Sequence, residues 1–258
     1  MLEIEQIVSF YPENLRPFRR NLLREYIQYK ILEAIFDSEF AGKLVFMGGT
    51  ALRIVYFNKR FSEDLDFDNV GLKRLDFENL VNLIKKRLEL EGYSVETKNT
   101  FTNVYKSYIR IPGVLYENNL SNHSEEKVEI QLQTEPQKFD YNSELKILNK
   151  FDVFTHIKVV PIDILLSQKL TAIFTRPRTL GRDFYDVVFL FGRTKPDIEY
   201  LNDKLNIKDF NQLKERLLLK CKELNFEKLA RDVEPFLFDT IDAKRVRNFY
   251  GYIKNYKL

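Results

Sequence analysis

Two short groups of residues have the types and the spacing needed for phosphate and metal chemistry. The first is Gly48-Gly49-Thr50, and the second, after thirteen intervening residues, is the aspartate pair Asp64 and Asp66. A glycine turn that opens a helix lets backbone N–H groups approach phosphate oxygens, with the Thr50 hydroxyl as a further donor. Two carboxylates on one face of a strand bind hard cations such as Mg²⁺ or Mn²⁺, which also accept phosphate ligands. The spacing therefore predicts a site for a metal and a phosphorylated substrate.

A third acidic residue would complete a two-metal site for an in-line phosphoryl displacement. Glu129 is the candidate, because it alternates with Val128 and Ile130 in a strand-like stretch. On its own, a glycine pair is usually just a turn and an Asp-x-Asp is usually a solvated loop. The acidic run also resembles the start of a calcium loop, but Asn69 and Leu75 stand where that loop requires glycine and glutamate, which excludes a calcium loop.

Hydrophobic periodicity predicts the elements that would position these residues. The spacing predicts a helix over about 14–40, a strand over 43–47, a helix over 50–57 and a strand over 61–67. In the last strand apolar and polar residues alternate, so Ser62, Asp64 and Asp66 are expected to share one face. Strand, glycine turn, helix and aspartate pair thus follow one another in the order that phosphoryl transfer needs.

The rest of the chain divides at Pro161. Before it, the sequence predicts an amphipathic helix over 75–91 closed by Gly92, followed by strand-like stretches near 93–97, 104–111, 127–133 and 151–160. After it, the pattern is helical, with helices over 162–174 and 182–191 and several more. We therefore expect an α+β protein, with a mixed-sheet lobe flanked by helices over 1–160 and an all-helical lobe over 161–258 that completes the active-site cleft.

Composition narrows the class of protein. Hydrophobic residues make up 44% and charged residues 31%, and no window approaches the run of roughly 18 apolar residues that a membrane span requires. The first residues lack a secretory signal, so we expect a cytoplasmic protein, and the AT-rich codon bias suggests a bacterial one. The single cysteine, Cys221, is expected to be structural. His123 and His156 lie far apart, which argues against a zinc site or a histidine triad.

Charge permits contact with a polyanion without requiring it. Lys and Arg outnumber Asp and Glu by 41 to 38, a formal net charge of +3. The arginines of the predicted first helix could touch a nucleic acid, although a charged helix face is the commoner explanation. These are Arg16, Arg19, Arg20 and Arg24.

At this point the chain resembles a known family, the nucleotidyltransferases that share the fold of DNA polymerase beta. Within it the chain is similar to the AbiE-type (AbiEii-like) toxins of abortive-infection and type IV toxin–antitoxin systems. Two blocks carry the resemblance. The first is Gly48-Gly49-Thr50-Ala51-Leu52 with Arg60, Ser62, Asp64, Leu65, Asp66 and Phe67; the second is Leu166, Lys169, Leu170, Ala172 and Arg176, followed by Arg182-Asp183-Phe184-Tyr185-Asp186-Val187.

The resemblance implies a role for each matching residue. Asp64 and Asp66 would hold Mg²⁺ or Mn²⁺, Lys169 would bind the triphosphate or the departing pyrophosphate, and Asp186 would be an additional acid that activates the acceptor hydroxyl. The nucleotide phosphates would lie against the glycine turn. The full set of expected nucleotide-binding residues is Gly48, Gly49, Thr50, Arg60, Ser62 and Lys169. In the alternative interpretation, Lys169 and Arg182 are solvated, and Asp183 and Asp186 pair with Arg176 and Arg182 across helical turns.

The resemblance also implies partners: an NTP, an RNA acceptor such as a tRNA 3′ end, and a cognate antitoxin protein, with no membrane. Two alternatives stay open from the sequence. The same chemistry serves small-molecule or protein hydroxyls in other nucleotidyltransferases. A non-catalytic module of the same fold would act by binding RNA or a protein, and it would be expected to have lost the aspartates that this chain keeps.

Overall fold

The computed structural model describes residues 2–136 and 138–256. The chain forms two compact units. The first, here the sheet unit, comprises Met1–Tyr56 and Phe61–Val159; the second, the helical unit, comprises Phe57–Arg60 and Val160–Leu258. The four-residue segment Phe57–Arg60 thus belongs to the helical unit although its neighbours on both sides belong to the sheet unit.

Seven strands of the sheet unit form one mixed sheet in the order β3-β4-β5-β2-β1-β7-β6, which confirms the predicted fold class. Strand β1 pairs antiparallel with β2 and parallel with β7, and β2 pairs parallel with β5. The strands are β1 (Leu44–Met47), β2 (Leu65–Asn69), β3 (Glu96–Phe101), β4 (Tyr105–Pro112), β5 (Lys127–Pro136), β6 (Glu144–Lys150) and β7 (Val153–Val159). The predicted site residues adjoin the short central strands: Gly48 follows β1, Asp64 precedes β2, and Asp66 lies in β2.

Helices cover the sheet because their apolar residues recur at helical spacing. In α4, Phe77, Leu80, Val81, Ile84 and Leu88 are buried, which is the pattern of one face packed on a core. The chain leaves α4 through a glycine with φ +95°, as predicted. The helices of this unit are α1 (Ile4–Ser9), α2 (Arg19–Phe36), α3 (Gly48–Ile54), α4 (Arg74–Leu90) and α5 (Val114–Glu117), with 3-10 turns at Glu13–Leu15 and Ala41–Lys43.

The helical unit is organised around an aromatic core. The ring of Phe184 packs edge-on against Phe249 and Phe226, with centroids 4.8 Å and 5.5 Å apart. Cys221 is buried, and burial raises the pKa of its thiol to about 12, so the thiol stays protonated. The helices are α6 (Ile162–Thr175), α7 (Gly181–Phe191), α8 (Ile198–Leu205), α9 (Phe210–Cys221), α10 (Phe226–Val233), α11 (Lys244–Arg247) and α12 (Phe249–Asn255), with 3-10 turns at Glu234–Phe236 and Thr240–Ala243.

The predicted boundaries fail in three places. The stretch predicted as a strand at 93–97 is mostly an approach to β3, in which Tyr93 and Val95 are buried before pairing begins. The strand predicted over 61–67 starts only at Leu65, where pairing with β1 and β5 becomes available. Strand β6 was not predicted. It lies at the edge of the sheet, where Leu145 and Ile147 stay exposed.

Among the described residues, no helix combines the length and the apolar character needed to cross a membrane.

Candidate functional site

Gly48 lies directly against the carboxylate of Asp66. Strand β1 ends at Met47, whose partner in β2 is Asp66, and the next residue, Gly48, adopts φ +79°. A Cβ atom at Gly48 would overlap the Asp66 carboxylate. Glycine is therefore favoured at position 48 for two reasons: the backbone is left-handed, and the carboxylate lies where a Cβ atom would be. The glycine turn and the aspartate pair, separate in sequence, form one site.

Thr50 has a different role from the predicted one. Its hydroxyl is buried and donates a hydrogen bond to the backbone carbonyl of Asp64. A hydroxyl committed to that carbonyl is not the phosphate donor that we expected. Instead it ties the first turn of α3 to the residue that precedes β2, and so fixes Asp64 relative to the glycine turn.

Burial alternates through the aspartate pair. Leu65 and Phe67 are fully buried, whereas Asp64 and Asp66 are partly exposed, which fits two carboxylates on one face. Asp68 follows them in sequence, but it is buried and accepts a hydrogen bond from Tyr141. The accessible pair is therefore Asp64 and Asp66.

This donor set fits a magnesium-type ion. Mg²⁺ is usually held by one or two carboxylates and completes its shell with water and substrate phosphates. The absence of a Cβ at Gly48 leaves the Asp66 carboxylate uncrowded on that side. Over residues 2–136 and 138–256, no group of three or more Asp, Glu, His or Cys side chains could hold a metal by itself. A metal at Asp64 and Asp66 would thus depend on substrate oxygens.

Glu129 does not join this pair. It is exposed on β5, where its carboxylate accepts from Arg110 at 2.6 Å. The register pairs Asp66 with Gln133, so Glu129 lies four residues back along the strand, roughly 13 Å away at 3.3 Å per residue. This geometry does not support the prediction of Glu129 as the third metal ligand. The expected strand is present, but its pairing with β2 places Gln133, not Glu129, beside Asp66.

Gly49 and Ser62 are two further residues that were predicted to bind the nucleotide. Gly49 is buried in the first turn of α3. Ser62 is partly buried, and its carbonyl accepts from the Gln28 amide at 3.0 Å. Both residues lie in the segments that flank the aspartate pair in sequence, and their contact with a nucleotide stays a prediction.

A buried network of ion pairs includes Arg53 of α3. Glu25 of α2, only 4% exposed, accepts from Arg53 at 2.8 Å, from Lys150 at 3.1 Å and from the Tyr11 hydroxyl at 2.8 Å. Burial would raise the pKa of Glu25, but Arg53 and Lys150 outweigh it and hold that pKa below its ordinary value. Arg53 is one turn beyond Thr50, so this network anchors the helix that begins with the glycine turn.

A second cluster of charged residues lies in the helical unit, centred on Asp186 of α7. Arg60 donates to this carboxylate from Nε at 2.7 Å and from Nη2 at 2.6 Å, and the Asn58 amide donates to it at 2.8 Å. Lys169 of α6 lies 3.0 Å from Oδ2 of this carboxylate, the oxygen that Arg60 Nη2 also contacts. Asp186 is fully buried and Arg60 is 1% exposed, so this is an ion pair removed from water.

Asp183 extends the cluster by one helical turn. Its Oδ1 accepts a hydrogen bond from Lys169 at 3.4 Å, and its Oδ2 lies 3.3 Å from the Arg176 Nε as an ion pair. Three cations, Arg60, Lys169 and Arg176, thus surround two buried carboxylates, which leaves the cluster with one excess positive charge. The Arg176 pair matches the helical pairing that we considered as the alternative to a functional role.

The contacts of Asp186 favour a positioning role over its expected role as a base. Burial alone would raise the pKa of its carboxyl, but Arg60 and Lys169 outweigh burial and lower that pKa from 3.8 to about 2. A carboxylate with so low a pKa, and with four cationic or amide contacts, is a poor acceptor for the proton of a hydroxyl. Asp186 is better described as the residue that orients Arg60 and Lys169.

Arg60 and Asn58 are the largest corrections to the predicted site. Arg60 was expected beside the nucleotide, but it is buried, and its Nε and Nη2 both donate to Asp186. Asn58 was not singled out, since one asparagine in a short connecting segment carries no signal of its own. Its partner is 128 residues further along the chain.

Two crystal structures from Helicobacter pylori share this fold. JHP933 aligns with a TM-score of 0.56 at 21% identity, over 91% of this chain and 91% of its own. A second protein, described as a "putative nucleotidyltransferase", aligns with a TM-score of 0.57 at 22% identity, over 91% of this chain and 94% of its own. Likeness at these identities defines the class of fold, a nucleotidyltransferase fold.

The family follows from the sequence profile of AbiEii, the nucleotidyl transferase toxin of type IV toxin–antitoxin systems, which matches residues 30–251. Because the match spans most of the chain, this protein belongs to the AbiEii nucleotidyl transferase toxin family. A search of curated proteins finds no match.

Proposed function

We propose that this chain transfers a nucleoside monophosphate from an NTP to an acceptor hydroxyl, releasing pyrophosphate, in a reaction that needs Mg²⁺ or Mn²⁺. RNA, with a tRNA 3′ end as the first candidate, is the acceptor. The observation that carries the proposal is the close approach of Gly48 to the Asp66 carboxylate, in a chain whose family is that of nucleotidyl transferase toxins. A turn that presents backbone N–H groups beside a metal-binding carboxylate suits a nucleoside triphosphate.

Asp64 and Asp66 are the proposed metal ligands. A bound divalent ion would neutralise charge on the phosphoryl oxygens and help the pyrophosphate to leave. The chain's own contribution is to hold the two carboxylates in place. Thr50 does so through the Asp64 carbonyl, and the glycine turn does so by admitting Asp66. The backbone N–H groups of Gly48 and Gly49 are the proposed contacts to the nucleotide phosphates.

Lys169 is the proposed contact to the triphosphate tail and to the departing pyrophosphate. Its ammonium is a compact charge, 11% exposed, and is held by Asp183 and Asp186. Because the cluster keeps one excess positive charge, an anionic ligand would balance it. Asp186 and Arg60 act in this proposal as positioning residues, and neither touches the substrate.

Toxicity follows if the acceptor is an RNA that translation needs, because an added nucleotide would block its use. Membership of a toxin–antitoxin family supports a cognate antitoxin protein as a partner. A cytoplasmic location is part of the same proposal.

The experiment combines the purified chain with Mg²⁺ or Mn²⁺, each of the four α-³²P-labelled NTPs, and three acceptor pools: bulk bacterial tRNA, RNA depleted of tRNA, and total protein. We expect label in the tRNA pool with at least one NTP, and none when EDTA is present. Label found only in the protein pool would show that the acceptor is a protein and not RNA, with the same nucleotidyl transfer reaction. Absence of label from every pool with both metals would contradict the proposed function.

A further inference from the structure

The two units differ in charge. The helical unit contains 21 lysines and arginines against 14 aspartates and glutamates, a formal net charge of +7. The sheet unit contains 20 against 24, a formal net charge of −4. The whole chain has a small net charge because the acidic sheet unit offsets the basic helical unit. A strongly basic unit is typical of proteins that bind polyanions.

Part of this charge gathers around a shallow depression of about 430 Å³ beside α10. Arg178, Lys228 and Arg231 line it. The Arg178 side chain is 81% exposed, and Lys228 and Arg231 are exposed as well. Among the residues that the structure describes, no carboxylate lies within ion-pair distance of Lys228 or Arg231. We call these three residues, together with Arg176 at the start of the same loop, the cationic surface.

The acidic residues at its rim do not cancel it. Asp232 accepts a hydrogen bond from the backbone N–H of Gly181 at 2.9 Å and lies 3.5 Å from Arg178. Glu223 lies 3.8 Å from Lys220. Asp232 thus offsets Arg178 of the surface, and Glu223 pairs with Lys220 outside it, so the excess positive charge of the cationic surface lies on Lys228 and Arg231.

The loop that carries Arg176 and Arg178 ends at Gly181, which packs directly against α10. A Cβ atom at Gly181 would overlap the backbone carbonyl of Leu229, so α7 and α10 touch through their main chains at this point. The hydrogen bond from Gly181 to Asp232 adds a second tie. A surface built on such fixed elements can present its charges in a constant arrangement.

The cationic surface continues into the cluster around Lys169. Asp183 contacts Lys169 at 3.4 Å with one carboxylate oxygen and Arg176 at 3.3 Å with the other. A polyanion lying along Arg178 and Arg231 would therefore lead toward the lysine proposed to bind the triphosphate. Continuity of charge with that lysine is what distinguishes this surface from other basic residues on the unit.

We propose that the cationic surface binds the phosphate backbone of the RNA acceptor. This inference rests on the proposed function and names the part of the chain that recognises its acceptor. Long, exposed Lys and Arg side chains around an open depression, of which Lys228 and Arg231 carry the excess charge, suit the repeated charges of RNA. A protein partner is less favoured, since the buried centre of a protein interface is apolar and depleted in charged residues. Among the residues that line this depression only Leu224 and Leu229 are apolar.

The test is a binding experiment that does not depend on catalysis. Fluorescein-labelled bulk bacterial tRNA is titrated with the full chain over about 50 to 200 mM KCl. The variant is Lys228→Gln with Arg231→Gln, and the control is Lys208→Gln with Lys254→Gln, which removes the same charge from exposed positions elsewhere in the helical unit. Binding of a fluorescent NTP analogue is measured in parallel as a check of folding.

We expect the variant to bind tRNA about tenfold more weakly at low salt and to lose about 2 from the slope of log affinity against log salt. The control should stay within about twofold of the wild type, and NTP binding should not change in either. Equal losses in variant and control, unchanged binding in the variant, or no tRNA binding by the wild type would overturn the proposal. Failure of nucleotide transfer with intact tRNA binding would instead count against the proposed function alone.

Discussion

Arg60 and Asp186 form a bidentate ion pair, with distances of 2.7 Å and 2.6 Å, between two residues that lie 126 positions apart in sequence. Both side chains are buried, so each charge is compensated by the other and not by water. The pair joins the short segment Phe57–Arg60 to α7, and Lys169 contacts the same carboxylate oxygen as Arg60 Nη2. Breaking one partner of such a pair leaves the other charge buried and uncompensated.

Asp186→Asn should destabilise the helical unit by about 3–5 kcal/mol. The wild type should also lose stability in acid, with a definite sign. The pKa of Asp186 falls from 3.8 to about 2 on folding, so its stabilisation is complete above about pH 4 and is lost as the pH falls toward 2. Urea unfolding between pH 7 and pH 2 measures both. The variant should lack this acid-dependent loss.

The control for this prediction is Asp203→Asn, since Asp203 pairs with Lys204 at an exposed position. It should cost less than about 0.5 kcal/mol. Similar costs for the two variants would show that the Arg60 pair is not important for the stability of the unit.

Gly48→Ala tests the approach of the glycine turn to Asp66. The new Cβ would displace the carboxylate, so we expect loss of nucleotide transfer and loss of thermal stabilisation by Mn²⁺ together with an NTP. Gly71→Ala is a matched control, because Gly71 has φ +94° and open space where its Cβ would lie. Both variants carry left-handed strain of about 1–2 kcal/mol. If both keep activity, or both lose it equally, crowding of Asp66 is not the cause.

The order of elements around this turn was predictable because each depends on local sequence. The apolar run before Gly48, the helical spacing after it and the alternation around Asp66 are local signals, and the strands, helices and mixed sheet follow from them. The buried Leu65 and Phe67 also confirm the alternation that separates core from site.

The partners of the charged residues were not predictable, since they depend on contacts between distant segments. Nothing local distinguishes Arg60 as a buried ion-pair partner, or Glu25 as the buried centre of three donors within a helix. Glu129 failed for a related reason. Its strand was correctly located, but the distance to Asp66 depends on the register with β2, which a single strand does not encode.

Lys169→Met should weaken the use of NTP without unfolding the protein. The charge that we propose to contact the triphosphate is removed, while Arg60 still compensates Asp186 and Arg176 still compensates Asp183. We expect kcat/KM for the NTP to fall about a hundredfold or more. Lys195→Met, at an exposed position of the same unit, should leave steady-state kinetics unchanged. Equal kinetics for Lys169→Met and the wild type would remove Lys169 from the site.

Glu25→Gln tests the buried network of ion pairs that includes Arg53. Arg53 and Lys150 would lose their shared anion inside the sheet unit, at a cost of about 3–5 kcal/mol in the free energy of unfolding. Glu33→Gln removes a carboxylate from the same helix, but its partner Lys30 keeps Glu91 and Asp152. That control should cost about 1 kcal/mol or less. Urea unfolding compares the two, and equal costs would argue against the network.

The most direct measurement of the central claim compares label transfer from the preferred α-³²P NTP by the wild type, Asp66→Asn and Asp140→Asn. Asp140 is exposed and takes no part in the proposed site, so its variant controls for the lost charge. The proposed metal role predicts transfer by the wild type and Asp140→Asn, and a rate reduced about a hundredfold or more in Asp66→Asn with its urea unfolding midpoint little changed. Transfer by Asp66→Asn at the wild-type rate would contradict it.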